Sequence, residues 1–201
     1  MTKPLLPAGD AAGSLREAGF ALLIRERRPV GLDELAAATG LGAAATREAV
    51  ATLAGAGWLD VADGRVAGAA GLSLATGPHR LTLGGARFRT WCAYDALGIV
   101  AALAVHGRLR TACGQCGIEI ALTFRAGMPD RSDPERLWLA EAGADLRGSF
   151  CTPTVLLCGD QHGTAWAAVH DGRGRLLDLD AASRAGGADW AGCAAAARRL
   201  A

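Results

Sequence analysis

Ala86-Arg87-Phe88-Arg89-Thr90-Trp91-Cys92-Ala93-Tyr94-Asp95 changes its period halfway along. Up to Thr90 the residues alternate as in a half-buried strand; from about residue 91 to 105 they read as a mostly apolar helix. That strand-to-helix step places Cys92 near a helix start and Asp95 three residues on, where the two share one face. A soft sulfur ligand beside a proton carrier can hold a soft metal and protonate something bonded to it. A second thiol, Cys151 in Gly148-Ser149-Phe150-Cys151-Thr152, could complete a two-sulfur clamp.

Around this step the pattern mixes both kinds of element. Strands are expected at residues 80–83, 108–111, 118–124, 136–139, 154–157 and 175–179. A short helix is expected over 164–170 and a closing helix over 181–200. Upstream, three helical segments (14–28, 31–40 and 44–54) precede a hairpin whose turn is Ala62-Asp63-Gly64. Three helices and a two-stranded wing describe a winged helix, and the small, glycine-rich stretch 68–78 reads as a linker. The expected fold class is therefore α+β: a winged-helix-like module over residues 1–78, then an α+β domain over residues 79–201.

Composition narrows the function classes. The chain has 201 residues, a net charge of +1 and six cysteines, and twenty arginines stand against one lysine. Residues 1–80 carry eight basic and eight acidic side chains, and the third helix offers only Arg47, with Glu48 beside it. DNA affinity needs phosphate neutralisation and base-edge donors, so the module reads as structural and DNA as an unlikely partner. Residues 1–7 lack a charged region followed by an apolar one, so no export signal is expected. The longest apolar run, about residues 96–105, is too short to span a bilayer. A cytoplasmic location with reduced thiols follows as the expectation.

The other sulfurs have weaker signals. Cys113-Gly114-Gln115-Cys116-Gly117 is a C-x-x-C step between two strands and reads as half of a zinc knuckle. Its other half would be Cys151 and Cys158, but six intervening residues exceed the usual spacing. Cys193 lies among alanines and reads as packing, and His79, His106, His162 and His170 show no ligand spacing. A helix start favours a thiolate at Cys92, while burial would raise the pKa of Asp95 and keep a proton available near neutral pH. Against these readings stand the ordinary fates, a small buried hydrophobe for the thiol and a solvated carboxylate for the acid.

Trp91-Cys92-x-x-Asp95, then Cys113 between strands, then Ser149-Phe150-Cys151, resembles the organomercurial (alkylmercury) lyases of bacterial mercury resistance. The resemblance extends from about Leu81 to the C-terminus and includes Trp166 with His170 four residues on; a winged-helix-like N-terminal module also occurs in that family. It implies that Cys92 and Cys151 are the mercury ligands, Asp95 the third catalytic residue and Cys113 structural. No cofactor is implied. The substrate would be a small organomercurial, and Hg²⁺ would pass to cellular thiols or a mercuric reductase. The proton could come from Asp95 or from a thiol relayed through it. Cys116 departs from the family pattern, as do Thr152-Pro153 and the segment 159–163. Two other readings are a soft-metal-binding or sensing protein without turnover, and a winged-helix regulator.

Overall fold

The computed structural model describes residues 11–130, 134–170 and 172–201; the expected absence of an export signal at residues 1–7 concerns positions outside these. Three helices come first, α1 (Ala11–Glu26), α2 (Leu32–Thr39) and α3 (Ala43–Gly55). Gly40 ends α2 in the left-handed region at φ 72°, where glycine carries no Cβ penalty. Strands β1 (Leu59–Ala62) and β2 (Arg65–Ala69) follow as a hairpin. Its turn has Asp63 at φ 51° and Gly64 at φ 70°, the doubly positive geometry that Asp-Gly favours. The N-terminal part is thus winged-helix-like.

The wing does not end there. β2 pairs with β3 (Leu72–Ser73), and β3 pairs with β5 (Ala86–Thr90). β5 is joined to β4 (His79–Leu83), then to β6 (Gly107–Ala112), β7 (Glu119–Arg125) and β8 (Met128–Pro129). One eight-stranded antiparallel sheet results, in the order β1-β2-β3-β5-β4-β6-β7-β8. The first part of the stretch expected to be a linker therefore belongs to the sheet, at residues 68–69 and 72–73; residues 66–73 are buried, because small residues there fit between the wing and the rest of the core. The expected boundary at 78/79 lies between β3 and β4, inside this continuous sheet.

Strict alternation of burial along β6 and β7 shows one covered and one open face, as in a sheet packed on one side. α4 (Ala93–Leu103) is buried at every residue from Ala93 to Val100. It crosses α6 (Leu179–Asp189) where Gly98 meets Gly186; a Cβ on Gly186 would lie 2.5 Å from the Gly98 Cα. A second sheet, β10-β9-β11, joins Val155–Leu157, Arg136–Ala140 and Gly174–Asp178. α5 (Asp160–Val169) follows β10. The closing helix expected over 181–200 is two helices, α6 and α7 (Ala191–Arg199), broken at Trp190. That indole is buried and donates to the Ala70 carbonyl at 2.7 Å, so one tertiary hydrogen bond fixes the break. α7 then packs along α1. Among the described residues no helix is long and apolar enough to cross a membrane.

Candidate active site

Cys92 is the residue before the first turn of α4, with extended backbone at φ −136°. Its thiol therefore lies at the helix cap, just ahead of the first helical residue, Ala93. The two groups bind each other reciprocally: the Cys92 amide donates to Asp95 Oδ2 at 2.7 Å, and the Asp95 amide to Cys92 Sγ at 3.4 Å. This is a capping box in which sulfur takes the place usually held by a hydroxyl. Both side chains are shut away from solvent, Cys92 at 0 % and Asp95 at 3 % exposure.

Cys151 reaches them from a π-helical turn, Leu146–Cys151, which sequence periodicity did not signal. Asp145 caps the turn by accepting from the Gly148 amide at 3.0 Å, and Thr152 Oγ1 donates to the Arg147 carbonyl at 2.9 Å. Phe150 stands edge-on to Tyr94 of α4, with ring centroids 6.2 Å apart. The outcome is that ligand atoms of Cys92, Asp95 and Cys151 all lie within 4.8 Å of one another, all three residues buried.

The wing takes part in holding this set. Asp60 of β1 accepts from the Trp91 indole at 2.9 Å, from Arg147 at 2.8 Å and from Thr76 at 2.8 Å. Arg147 also donates to the Gly57 carbonyl at 2.8 Å, and its guanidinium lies over the Trp91 ring, 3.2 Å from the centroid. Asp60 thus ties the residue before Cys92 to the turn that carries Cys151. Gly71, at φ +88°, lets the chain lie directly on Asp95, since a Cβ there would sit 2.5 Å from the Asp95 Cγ.

Burial sets the protonation states. It pushes the Cys92 thiol well above its ordinary range, helped by the Cys151 hydrogen bond and by the charge of Asp95; the Asp95 amide opposes this. The thiolate expected from the helix start is therefore overruled by desolvation. Burial also raises Asp95 to about 6, against the pull of the Cys92 amide and thiol and of Arg147. Near neutral pH Cys92 therefore rests as a thiol beside a carboxylate that is easily protonated. Such a set can bind a thiophilic ion, accept the proton that binding displaces and return it to a bound atom. A depression of about 390 Å³ lined by Thr82, His106 and Arg108, among others, includes none of the three.

The C-x-x-C step has a different partner set from the one expected. Cys151 is committed to Cys92, and the companions of Cys113 and Cys116 are Cys158 and His162. Burial raises the Cys113 thiol, but the amides of Cys116 and Cys158 and the His162 ring outweigh it and bring it down to about 6. His162 was missed because the helix was expected to start at residue 164. With α5 starting at Asp160, His162 falls in its first turn and folds back toward Cys158 just before the helix, Sγ to Nδ1 3.0 Å. That Cys-x-x-x-His spacing was the available signal. Asp60, Arg147 and Gly71 were missed for want of any local pattern. Cys193 is buried against the helices, as expected. Trp166 and His170 stack at 4.4 Å.

Comparison with known proteins places the chain. The family model described as MerB: Alkylmercury lyase matches residues 72–192, and that of the IclR helix-turn-helix domain matches residues 20–62. A curated alkylmercury lyase from Pseudomonas putida is 30% identical over 106 residues, 51% of this chain and 50% of that protein. The chain's match thus spans about half the length of that relative. A solved structure described as the mercury-bound form of MerB2 superposes with a TM-score of 0.80 at 24% identity, over 94% of this chain and 93% of that one. At that identity the superposition speaks for the fold.

Proposed function

The chain belongs to the alkylmercury lyase family, and from that premise we propose that it cleaves carbon–mercury bonds by protonolysis. The observation that carries the reading is the buried convergence of Cys92, Asp95 and Cys151 within 4.8 Å. Two sulfurs that each bond one metal at about 2.3 Å stand up to about 4.6 Å apart, and the longer bonds of mercury suit the same span.

An organomercurial arrives as R–Hg–SR′, bound to a small cellular thiol. One site cysteine displaces that thiol, and the cysteine's proton leaves on R′SH. As the second sulfur bonds to mercury, its proton passes to the Asp95 carboxylate, whose pKa of about 6 suits it to accept and then give up a proton near neutral pH. Two thiolates donating to mercury raise electron density on the carbon. Protonated Asp95 then delivers its proton there, the carbon–mercury pair becomes the new C–H bond, and R–H departs. Asp95 is a carboxylate again, and Hg²⁺ remains on Cys92 and Cys151. Two incoming thiols, or the thiols of a mercuric reductase, take the ion by exchange and restore both cysteines. Mercury(II) prefers soft thiolates, so the exchange is between like ligands and needs no resident cofactor.

Residues 1–78 serve as a scaffold and 79–201 carry the chemistry. Asp60 supports this role for the wing, since it braces Trp91 and Arg147. The third helix presents Arg47 exposed beside exposed Glu48, a poor surface for phosphates. The test is incubation of the protein with phenylmercuric acetate and excess thiol, followed by measurement of benzene. Stoichiometric benzene in the first turnover is expected. Tight Hg²⁺ binding with no benzene would replace the lyase by a non-catalytic metal binder, and sequence-dependent DNA binding at moderate salt would favour a regulator.

A further inference from the structure

Cys113, Cys116, Cys158 and His162 lie outside the chemistry just described, and their ligand atoms all fall within 4.8 Å of one another. We propose that these four residues form a structural zinc site that staples the large sheet to the small one. Two of three edges have the right lengths, and the third, Cys158 to His162, is about half an ångström short of the ideal. Zinc–sulfur bonds of about 2.3 Å and zinc–nitrogen bonds of about 2.0–2.1 Å make tetrahedral S···S edges of roughly 3.8 Å and S···N edges of roughly 3.5 Å. Cys116 Sγ and Cys158 Sγ are 3.8 Å apart, Cys113 Sγ is 3.6 Å from His162 Nδ1, and Cys158 Sγ is 3.0 Å from the same nitrogen.

The backbone is folded as a ligand-bearing turn needs to be. The Cys113 amide donates to the Ile118 carbonyl at 2.8 Å and the Gly117 amide to the Cys113 carbonyl at 2.9 Å, with Gly117 at φ +74°. Amides of Gln115, Cys116 and Cys158 point at Cys113 Sγ, the arrangement that offsets charge on a metal-bound thiolate. Gly114 sits where a Cβ would come 2.6 Å from Val155 Cγ2, so only glycine allows the β6–β7 turn to close against β10. Its amide donates to the Leu156 carbonyl at 2.9 Å. On the other strand of the staple, Cys158 directly follows β10 and His162 lies in the first turn of α5.

Four protein donors fill a tetrahedron, which is the mark of a structural rather than a catalytic zinc centre. Its place gives it a task. Cys158 is separated from Cys151 by little more than β10, so a metal clamped there anchors one end of the segment that presents the second mercury-binding thiol.

The test is metal analysis of the full-length protein, purified without chelator from zinc-supplemented medium. Roughly one zinc per chain is expected, unchanged in Cys92→Ser and lost in Cys116→Ala and in His162→Ala, both checked for folding by circular dichroism. Because Cys92→Ser disables the proposed chemistry without touching these four residues, zinc content and benzene release report on separate claims. Cobalt(II) in place of zinc should give the visible bands of a tetrahedral thiolate site and lose them in Cys116→Ala. Protein without zinc after dialysis against the ion overturns the proposal. So does zinc that survives both substitutions, or an intact mass two hydrogens low with a Cys116–Cys158 disulfide.

Discussion

Two sulfur clusters sit at opposite ends of one short segment, and they differ in almost every property that matters to a metal. Cys92, Asp95 and Cys151 are all buried, and only two of the three donors are soft. Cys113, Cys116, Cys158 and His162 grade from buried to exposed, and all four are donors suited to zinc. The first set is short of ligands and rich in proton-handling capacity; the second is saturated. Desolvation raises the Cys92 thiol, while amides lower the Cys113 thiol. The same element, sulfur, is held as an acid in reserve at one site and as a standing ligand at the other. Turnover needs the former and permanence the latter.

The sharpest break in that contrast is Cys92→Ser, which should reduce benzene release to the uncatalysed background while zinc content stays at the level of the unmodified protein. Asp95→Asn comes next. It should slow release by about 10²–10⁴-fold, the usual worth of a positioned acid–base group, yet leave Hg²⁺ binding intact by titration. The unmodified protein should also show kcat/KM falling as pH drops through about 6, since protonated Asp95 has no room for the displaced thiol proton; the asparagine variant should lack this limb.

A smaller effect concerns stability. The folded-state pKa of Asp95 is raised from 3.8 to about 6, so between those values the folded protein keeps a proton that the unfolded chain releases. Stability must therefore fall as pH rises across that window and level off above it. The loss from this group is at most on the order of 3 kcal/mol, and chemical denaturation of Asp95→Asn should show the slope removed. The smallest expected change is Asp60→Ala. Leaving Trp91, Arg147 and Thr76 without their shared acceptor should cost about 1–3 kcal/mol, measured by denaturation, with slower release and unchanged zinc content. Full activity in that variant would show that the wing does not brace the site.

Much of the molecule was legible because its elements follow their own periods. The hairpin at Asp63-Gly64, the alternating β6 and β7 and the apolar α4 needed no tertiary information. Cys92, Asp95 and Cys151 were singled out because the chain has only six thiols and because the motif resembles a known family. What stayed hidden was set by packing. The π-helical turn has no repeat to detect, and the sheet's continuation through residues 68–73 depends on small residues that read equally well as a linker. Trp190 breaks the last helix through a hydrogen bond to Ala70, 120 residues away. His162 escaped through a helix start placed four residues late, and the thiolate expected at Cys92 ignored how little water would reach it.

The cap on α4 has one more consequence. Because Asp95's amide leans on the very sulfur that would seize a heavy ion, and Cys92's amide leans on the very oxygen that would shuttle the proton, each chemical event tugs on the end of a helix. Two backbone N–H groups are thereby wired as built-in gauges of occupancy. Their deuterium uptake, or their nitrogen chemical shifts, should report a loaded, reacting or empty centre without any probe being added.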